Sequence, residues 1–205
     1  MNTAEIRITS LGEGMEEALA ATERLGLDSG LGHKENLRLR LLAEELIGLM
    51  RGITGSVEAC YMGRQEERKF ELSLSADVRM TQELRQQLLA ASTSGKNAAA
   101  KGFMGRIRDM VAAVMLPDNE ESDEVSGLSL GLMSLGSPAR YNVGVSAYAW
   151  SMSKYMSEVR RSREKDADAE DAWDELEKSI VANLADEVSV KIEGSHVEIV
   201  ITKAF

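Results

Sequence analysis

The stretch Glu187-Val188-Ser189-Val190-Lys191-Ile192-Glu193-Gly194-Ser195-His196-Val197-Glu198-Ile199-Val200-Ile201-Thr202 decides the fold class. Val188, Val190 and Ile192 fall on one side of an extended chain, and Val197, Ile199 and Ile201 fall together again after the turn from Glu193 to His196. A period of two marks a strand with one buried face. Two such runs across a short glycine-containing turn make an antiparallel hairpin. The same period recurs upstream at Ile6 and Ile8, at Val57, Ala59 and Tyr61, and at Phe70, Leu72, Leu74 and Ala76. Strands are therefore predicted near residues 4–9, 56–62, 69–76, 187–192 and 197–202, with Gly63 and a charged run joining the second to the third. No strand–helix–strand rhythm is present, so the sheet is expected to be mixed and mainly antiparallel.

The remaining apolar residues follow a helical period. Met15, Leu19, Thr22 and Leu25 predict a helix that the glycines from Gly26 to Gly32 stop. From Lys34 to about Arg51, Leu39, Leu42, Leu46 and Met50 form one stripe, with Leu37, Leu41, Glu44 and Gly48 on the neighbouring line. Further helices are expected at Leu84 and Leu88, at Phe103, Ile107, Met110 and Val114, at Tyr148, Met152, Tyr155 and Val159, and at Trp173, Leu176, Ile180 and Leu184. Each element has one apolar side to bury. The expected class is α+β, a two-layer sandwich with helices on one face of the sheet. Between Pro117 and about Ala139, acids and glycines replace periodic apolar residues, and an exposed, mobile connection is expected there.

Composition narrows the function. The chain has 205 residues, a formal charge of −10, one cysteine and two histidines. That length suits a single domain spanning 1–205, with residues 79–171 as an insertion or enlargement within it. One cysteine excludes an internal disulfide, and the Cys and His content is too small for structural zinc. The acidic balance opposes general nucleic-acid binding, which depends on cationic neutralisation of phosphates. No run of eighteen apolar residues and no secretory signal pattern occurs, so a cytoplasmic protein without a membrane span is expected.

The order strand, two helices, hairpin, then a final helix and hairpin, with Glu44-Glu45-Leu46-Ile47-Gly48-Leu49-Met50-Arg51-Gly52 on the second helix and Leu184-Ala185-Asp186-Glu187-Val188-Ser189-Val190 near the end, resembles the GHKL (histidine-kinase-like) ATPase superfamily. The nearest flavour is the anti-sigma-factor serine kinases of bacteria. The resemblance covers about residues 4–78 and 172–205, and makes 79–171 an enlarged nucleotide lid or an insertion. It implies a bacterial regulatory protein with ATP and Mg²⁺ as ligands, a protein partner such as a sigma factor or an anti-anti-sigma-like protein, and a homodimer. By resemblance Glu44 takes the catalytic role of orienting or activating a nucleophile. Gly48 stands where the family has a Mg²⁺-holding Asn, and glycine supplies no side-chain oxygen. Asp77 matches the adenine-reading Asp, but Arg79 and Thr81 replace the glycines of that turn. Gly102 and Gly105 match the phosphate-covering glycine motif, with Lys96, Lys101 and Arg106 as phosphate-binding cations. A rival placement of that motif is Glu177-Lys178-Ser179-Ile180, which lacks glycine. These departures predict impaired or absent phosphotransfer. No protein metal ligand is assigned.

Each residue also has a plainer reading. Glu44 reads equally as a solvated helix acid, Gly48 as an allowance for close helix-to-sheet packing, Asp77 as a strand end, and the basic glycine segment as a loop and helix cap. The function alternative is thus a nucleotide-free interaction module that retains only the fold. Other chemistries fail on spacing. Ser94-Gly95-Lys96-Asn97 lacks the upstream glycine and the hydroxyl residue of a phosphate-binding loop. Gly102-x-x-Gly105 suits the RNA clamp of KH domains poorly in so acidic a chain. No Gly-x-Ser-x-Gly elbow occurs, and Cys60 reads as a strand residue. The eleven methionines read as core fillers, with Met133, Met152 and Met156 as candidates for an adaptable partner surface.

Overall fold

A computed structural model describes residues 1–51, 58–77, 103–105, 107, 111, 147–163 and 167–205. The described elements in chain order are β1 (Ile6–Thr9), α1 (Met15–Asp28), α2 (His33–Arg51), β2 (Glu58–Glu66), β3 (Lys69–Asp77), β4 (Ala147–Ser151), α3 (Met152–Ser162), α4 (Ala167–Lys178), α5 (Ile180–Leu184), β5 (Glu187–Glu193) and β6 (His196–Ala204). The strands form one open sheet in the order β1-β2-β3-β6-β5-β4, and every neighbouring pair is antiparallel. The class is α+β as expected, and the sheet has no parallel pair among the described strands.

The five alternating segments are all strands, and their registers align the buried positions into rows. Ile6 faces Tyr61, Tyr61 faces Leu74, Leu74 faces Ile199, Ile199 faces Val190, and Val190 faces Trp150. All six are buried on one face, and α1, α2 and α3 pack there. On the opposite face Arg64 stands across from Glu71, Glu66 from Lys69, and Lys191 from Glu198. Opposite charges at facing positions favour that pairing over a slipped one.

Four sequence expectations change. Tyr148 belongs to the edge strand β4, and α3 begins only at Met152. Ala147–Ser151 is a sixth strand, hidden in the sequence because Tyr148 happens to stand in helical phase with Met152, Tyr155 and Val159. Gly63 is not a turn residue but lies inside β2, where an added Cβ would sit 3.1 Å from the Leu25 side chain of α1. The first helix runs through Gly26 to Asp28, and Gly30, at φ +75°, follows its end. The helix expected over Trp173 to Leu184 is two helices. Ser179 breaks it with extended backbone and caps α5 by accepting a hydrogen bond from the Ala182 amide at 3.2 Å. The stretch 117–139 lies outside the described residues.

Two polar anchors hold this layering. The Tyr61 hydroxyl donates to Thr22 Oγ1 at 2.5 Å, while Thr22 donates to the Ala18 carbonyl at 2.8 Å, so a fully buried phenol on the sheet is satisfied by α1. Burial pushes the Tyr61 phenol well up from its ordinary value, against the Thr22 hydrogen bond, and keeps it protonated. At the sheet end, Asp186 accepts from Lys203 Nζ and from the Ala204 amide, both at 2.7 Å. Partial burial pushes the Asp186 carboxyl up, but those two hydrogen bonds and the Lys203 charge outweigh it and hold the group below its ordinary value.

Leu46 is fully buried, whereas Leu37 on the same helix is 50% exposed. Leu46→Ala is expected to cost about 2–5 kcal/mol and Leu37→Ala within about 0.5 kcal/mol, read by urea unfolding. Equal losses would misplace the buried face of α2. A depressed carboxyl contributes stability above its unfolded pKa and loses it as pH falls through the folded value. Asp186→Asn is therefore expected to destabilise at neutral pH, with the gap to wild type closing as pH drops below 3.8, the ordinary aspartate value. A gap independent of pH would remove Asp186 from this role.

Candidate functional site

Helix α2 carries the first candidate residues because its two faces differ so sharply. Leu39, Leu42, Ala43, Leu46 and Ile47 point into the core, and Gly48 points the other way. Glu44 is exposed beside it, and its Oε1 accepts from Arg40 Nε at 3.1 Å. Arg40 also donates through Nη1 to Glu23 of α1 at 3.0 Å. One guanidinium thus joins two helices and occupies the carboxylate of Glu44. The Glu44 hydrogen bond, against desolvation and with help from Glu23, raises Arg40 above its already high ordinary value, so the guanidinium stays charged. The plain reading of Glu44 as a solvated acid is thereby refined to an acid in an exposed ion-pair network. That of Gly48 as a packing allowance fails among the described residues, where a Cβ added at Gly48 meets nothing within 4 Å.

The direction of α2 places its two ends. Glu35 in its first turn pairs with Arg68 in the β2–β3 turn at 2.9 Å. Nineteen residues at about 1.5 Å each and a nine-residue strand at about 3.4 Å each cover similar lengths. Gly48 therefore comes toward the sheet end where β3 finishes at Asp77 and β6 begins at His196.

Asp77 reaches that end on the other side. In β3 the inward positions are Phe70, Leu72 and Leu74, so strand alternation turns Asp77 outward with Ser73 and Ser75. Asp77 pairs with His196 across the ladder, and its Oδ1 lies 3.1 Å from His196 Nδ1. The structure thus brings Glu44 and Gly48 together on α2, at the helical layer, and puts the Asp77 carboxylate on the open face of the sheet. The sequence reading of Asp77 missed His196 as its partner. No local pattern signals it, since the turn at Gly194-Ser195 fixes β6 against β5, whereas Asp77 meets His196 through the long-range pairing of β3 with β6.

The glycine motif is described only in part. Phe103, Met104, Gly105, Ile107 and Val111 are helical, and Phe103 and Ile107 are buried. The Phe103 ring lies 6.1 Å from that of Trp150, which in turn lies 5.8 Å from Tyr155. Gly105 therefore belongs to a segment packed over the β4 edge, on the same face as α2. Lys96, Lys101, Gly102 and Arg106 lie outside the described residues. At the rival position, Asn183 Nδ2 donates to the carbonyls of Glu177 and Ser179, both at 2.8 Å, and Ser179 takes an amide of α5. That junction serves its own helix ends.

ATP and Mg²⁺ can be tested against this geometry. Among the described residues no group of three or more His, Cys, Asp or Glu could hold a metal ion. Glu44 is engaged by Arg40, Gly48 offers no oxygen, and Asp77 faces away. The described residues do not assemble a magnesium–nucleotide shell. Cys60 is half-buried on β2, and burial, then the Glu5 charge, push its thiol above the ordinary value. Among the described helices none is long and apolar enough to cross a membrane. No known family model, curated protein or solved structure matches the chain.

An exposed glycine in a helix interior costs about 1 kcal/mol relative to alanine. Gly48→Ala is therefore expected to raise the urea-unfolding free energy by about 0.5–1 kcal/mol. Gly26→Ala is expected to lower it, because a Cβ there would lie 2.0 Å from Asn36 Oδ1. The opposite signs are the check, and a loss at both positions would show that Gly48 is also packed.

Proposed function

We propose that the chain is a bacterial regulatory protein on a GHKL ATPase-like scaffold that acts by binding a protein partner, with phosphotransfer absent. The single observation that carries this reading is on α2. The family's catalytic acid matches Glu44, which is tied into an ion pair, and its metal-holding amide matches Gly48, which has no side chain. The element order supports the scaffold: a strand, two helices and a hairpin, then a helix and the hairpin β5–β6, with helices on one sheet face. By resemblance the partner is a sigma factor or an anti-anti-sigma-like protein. Binding of this kind needs surface and no metal-dependent chemistry.

A second reading, nucleotide-gated binding, is favoured by a different feature. Lys96, Lys101, Arg106 and Arg108 place four cations within thirteen residues of an acidic chain, beside Gly102 and Gly105. Local positive charge is what a triphosphate requires.

Calorimetric titration separates the two. Without the metal-holding amide, ATP with Mg²⁺ is expected to bind no more tightly than about the millimolar range, and Gly48→Asn is expected to strengthen only the Mg²⁺-dependent part, since its amide oxygen can enter an oxygen shell. Micromolar, Mg²⁺-dependent binding by the wild type would overturn the loss of nucleotide chemistry. If ATP binds, Lys101→Ala with Arg106→Ala is expected to weaken ATP more than adenosine. Equal weakening would remove the phosphate role from that segment.

A further inference from the structure

Three leucines on the outer side of the α1–α2 pair each have a cation three residues before them. Arg24 precedes Leu27 on α1, and on α2 Lys34 precedes Leu37 and Arg38 precedes Leu41. Residues three apart on a helix are surface neighbours. Leu27 is 59% exposed and Leu37 50%, Leu41 is half-buried, and the three cations are exposed. Contacts across the helix pair gather these residues into one patch. Asn36, beside Leu37, donates to the Glu23 carbonyl at 3.2 Å, and its Oδ1 is what a Cβ on Gly26, beside Leu27, would meet at 2.0 Å. Arg40, beside Leu41, reaches Glu23 at 3.0 Å. Leu27 and Leu37 therefore stand on either side of the seam between the helices, and Leu41 lies one turn further along α2. Arg40 holds the carboxylates of Glu23 and Glu44 at that seam. Asp28, next to Leu27, and Glu45, one turn past Leu41, are acids at the border of the patch.

We propose that this patch docks an acidic amphipathic helix of a protein partner. The helix lies over α1 and α2 as a third helix, with its apolar stripe on the leucines and its carboxylates on Arg24, Lys34 and Arg38. This gives the protein-binding reading a surface and a class of partner, and it rests on that reading. A helix suits the site because the backbone groups of α1 and α2 are used within the helices, which leaves ridges of side chains and no strand edge to extend.

Charge selects the partner's sign. The chain carries −10, so three cations gathered round three leucines make a local reversal that attracts acids and repels bases. A second copy is disfavoured, because two-fold docking of the patch on itself would set its cations against each other. An anionic bilayer is disfavoured as well. A broad surface would also meet exposed acids of α1 such as Glu16, Glu17 and Asp28, whereas a helix about 10 Å wide lies within the cationic rim.

The probe is a synthetic alanine-based helix of about eighteen residues, with leucines spaced i, i+3 and i+7 and glutamates flanking them; a matching peptide carries lysines instead. Each is titrated into the isotope-labelled full chain and followed by NMR. The acidic peptide is expected to bind with a Kd of about 10–100 µM, as a small patch with few anchors would give, and to shift the amides of residues 24–41 most. The lysine peptide is expected to bind about tenfold more weakly or worse. Leu27→Ser with Leu37→Ser, and separately Arg24→Glu with Arg38→Glu, are each expected to weaken the acidic peptide about tenfold or more. Lys154→Glu with Arg160→Glu, exposed cations on α3, changes net charge as much as the second pair and is expected to leave the affinity within about twofold. Circular dichroism checks that every variant is folded. No acidic-peptide binding below about 1 mM, equal binding of the lysine peptide, or binding untouched by the leucine pair each overturns the proposal. Self-association of the wild type that the leucine pair abolishes would give the surface to a second copy, and flotation with phosphatidylserine vesicles that the same pair abolishes would give it to a membrane. Either result overturns it too. ATP calorimetry tests the regulatory reading by a separate measurement, so the two can fail apart.

Discussion

The structure depends on one register. The row Ile6, Tyr61, Leu74, Ile199, Val190 and Trp150 crosses all six strands, and each helix on the core face packs onto that row or its neighbours. Because side chains alternate with a period of two, sliding β6 by a single residue would bring Glu198 and Val200 to the core and send Ile199 to solvent. The open face selects the same alignment by pairing Lys191 with Glu198 and Arg64 with Glu71. Apolar burial sets the face, and cross-strand charge discriminates among registers that would bury as much. Tyr61 adds a further constraint. Its hydroxyl is buried, and Thr22 of α1 satisfies it, so displacing α1 along the sheet would strand a buried donor.

Legibility followed from how far each residue's environment is set by its neighbours in the chain. The strands at Ile6, Tyr61, Leu72, Val190 and Ile199 were readable because a half-buried strand writes its burial pattern directly into alternation. Strand β4 was not. Tyr148 and Trp150 face the core from a strand, Met152, Tyr155 and Val159 face it from the following helix, and one core receives all five, so the apolar positions continue across the boundary without a change of phase. Gly63 and Gly26 were misread as breakers for a related reason. Glycine also marks close approach, and here Leu25 closes on one and Asn36 on the other, contacts between elements that no local pattern displays.

For the candidate site, the sequence located residues along the chain but not on faces. Glu44 and Gly48 were correctly placed on one side of α2, since four residues on a helix always share a side. The separation of Asp77 from them follows from parity alone. Leu72 and Leu74 are inward, so Asp77 cannot be. Motif matching ignores that parity, and it is the parity of β3 that puts the Asp77 carboxylate beside His196 instead of toward α2.

Gly26 and Gly48 show why the two helix glycines carry different information. Both forgo the roughly 1 kcal/mol that alanine would give a helix interior. At Gly26 the loss is offset by bringing α1 within reach of Asn36, whose amide donates to the Glu23 carbonyl at 3.2 Å. At Gly48 no contact among the described residues offsets it, since a Cβ there would meet none of them within 4 Å. A bare stretch of backbone on the outer line of α2, next to Leu41 and the Arg40–Glu44 pair, is a place where another surface can approach more closely than a side chain would allow.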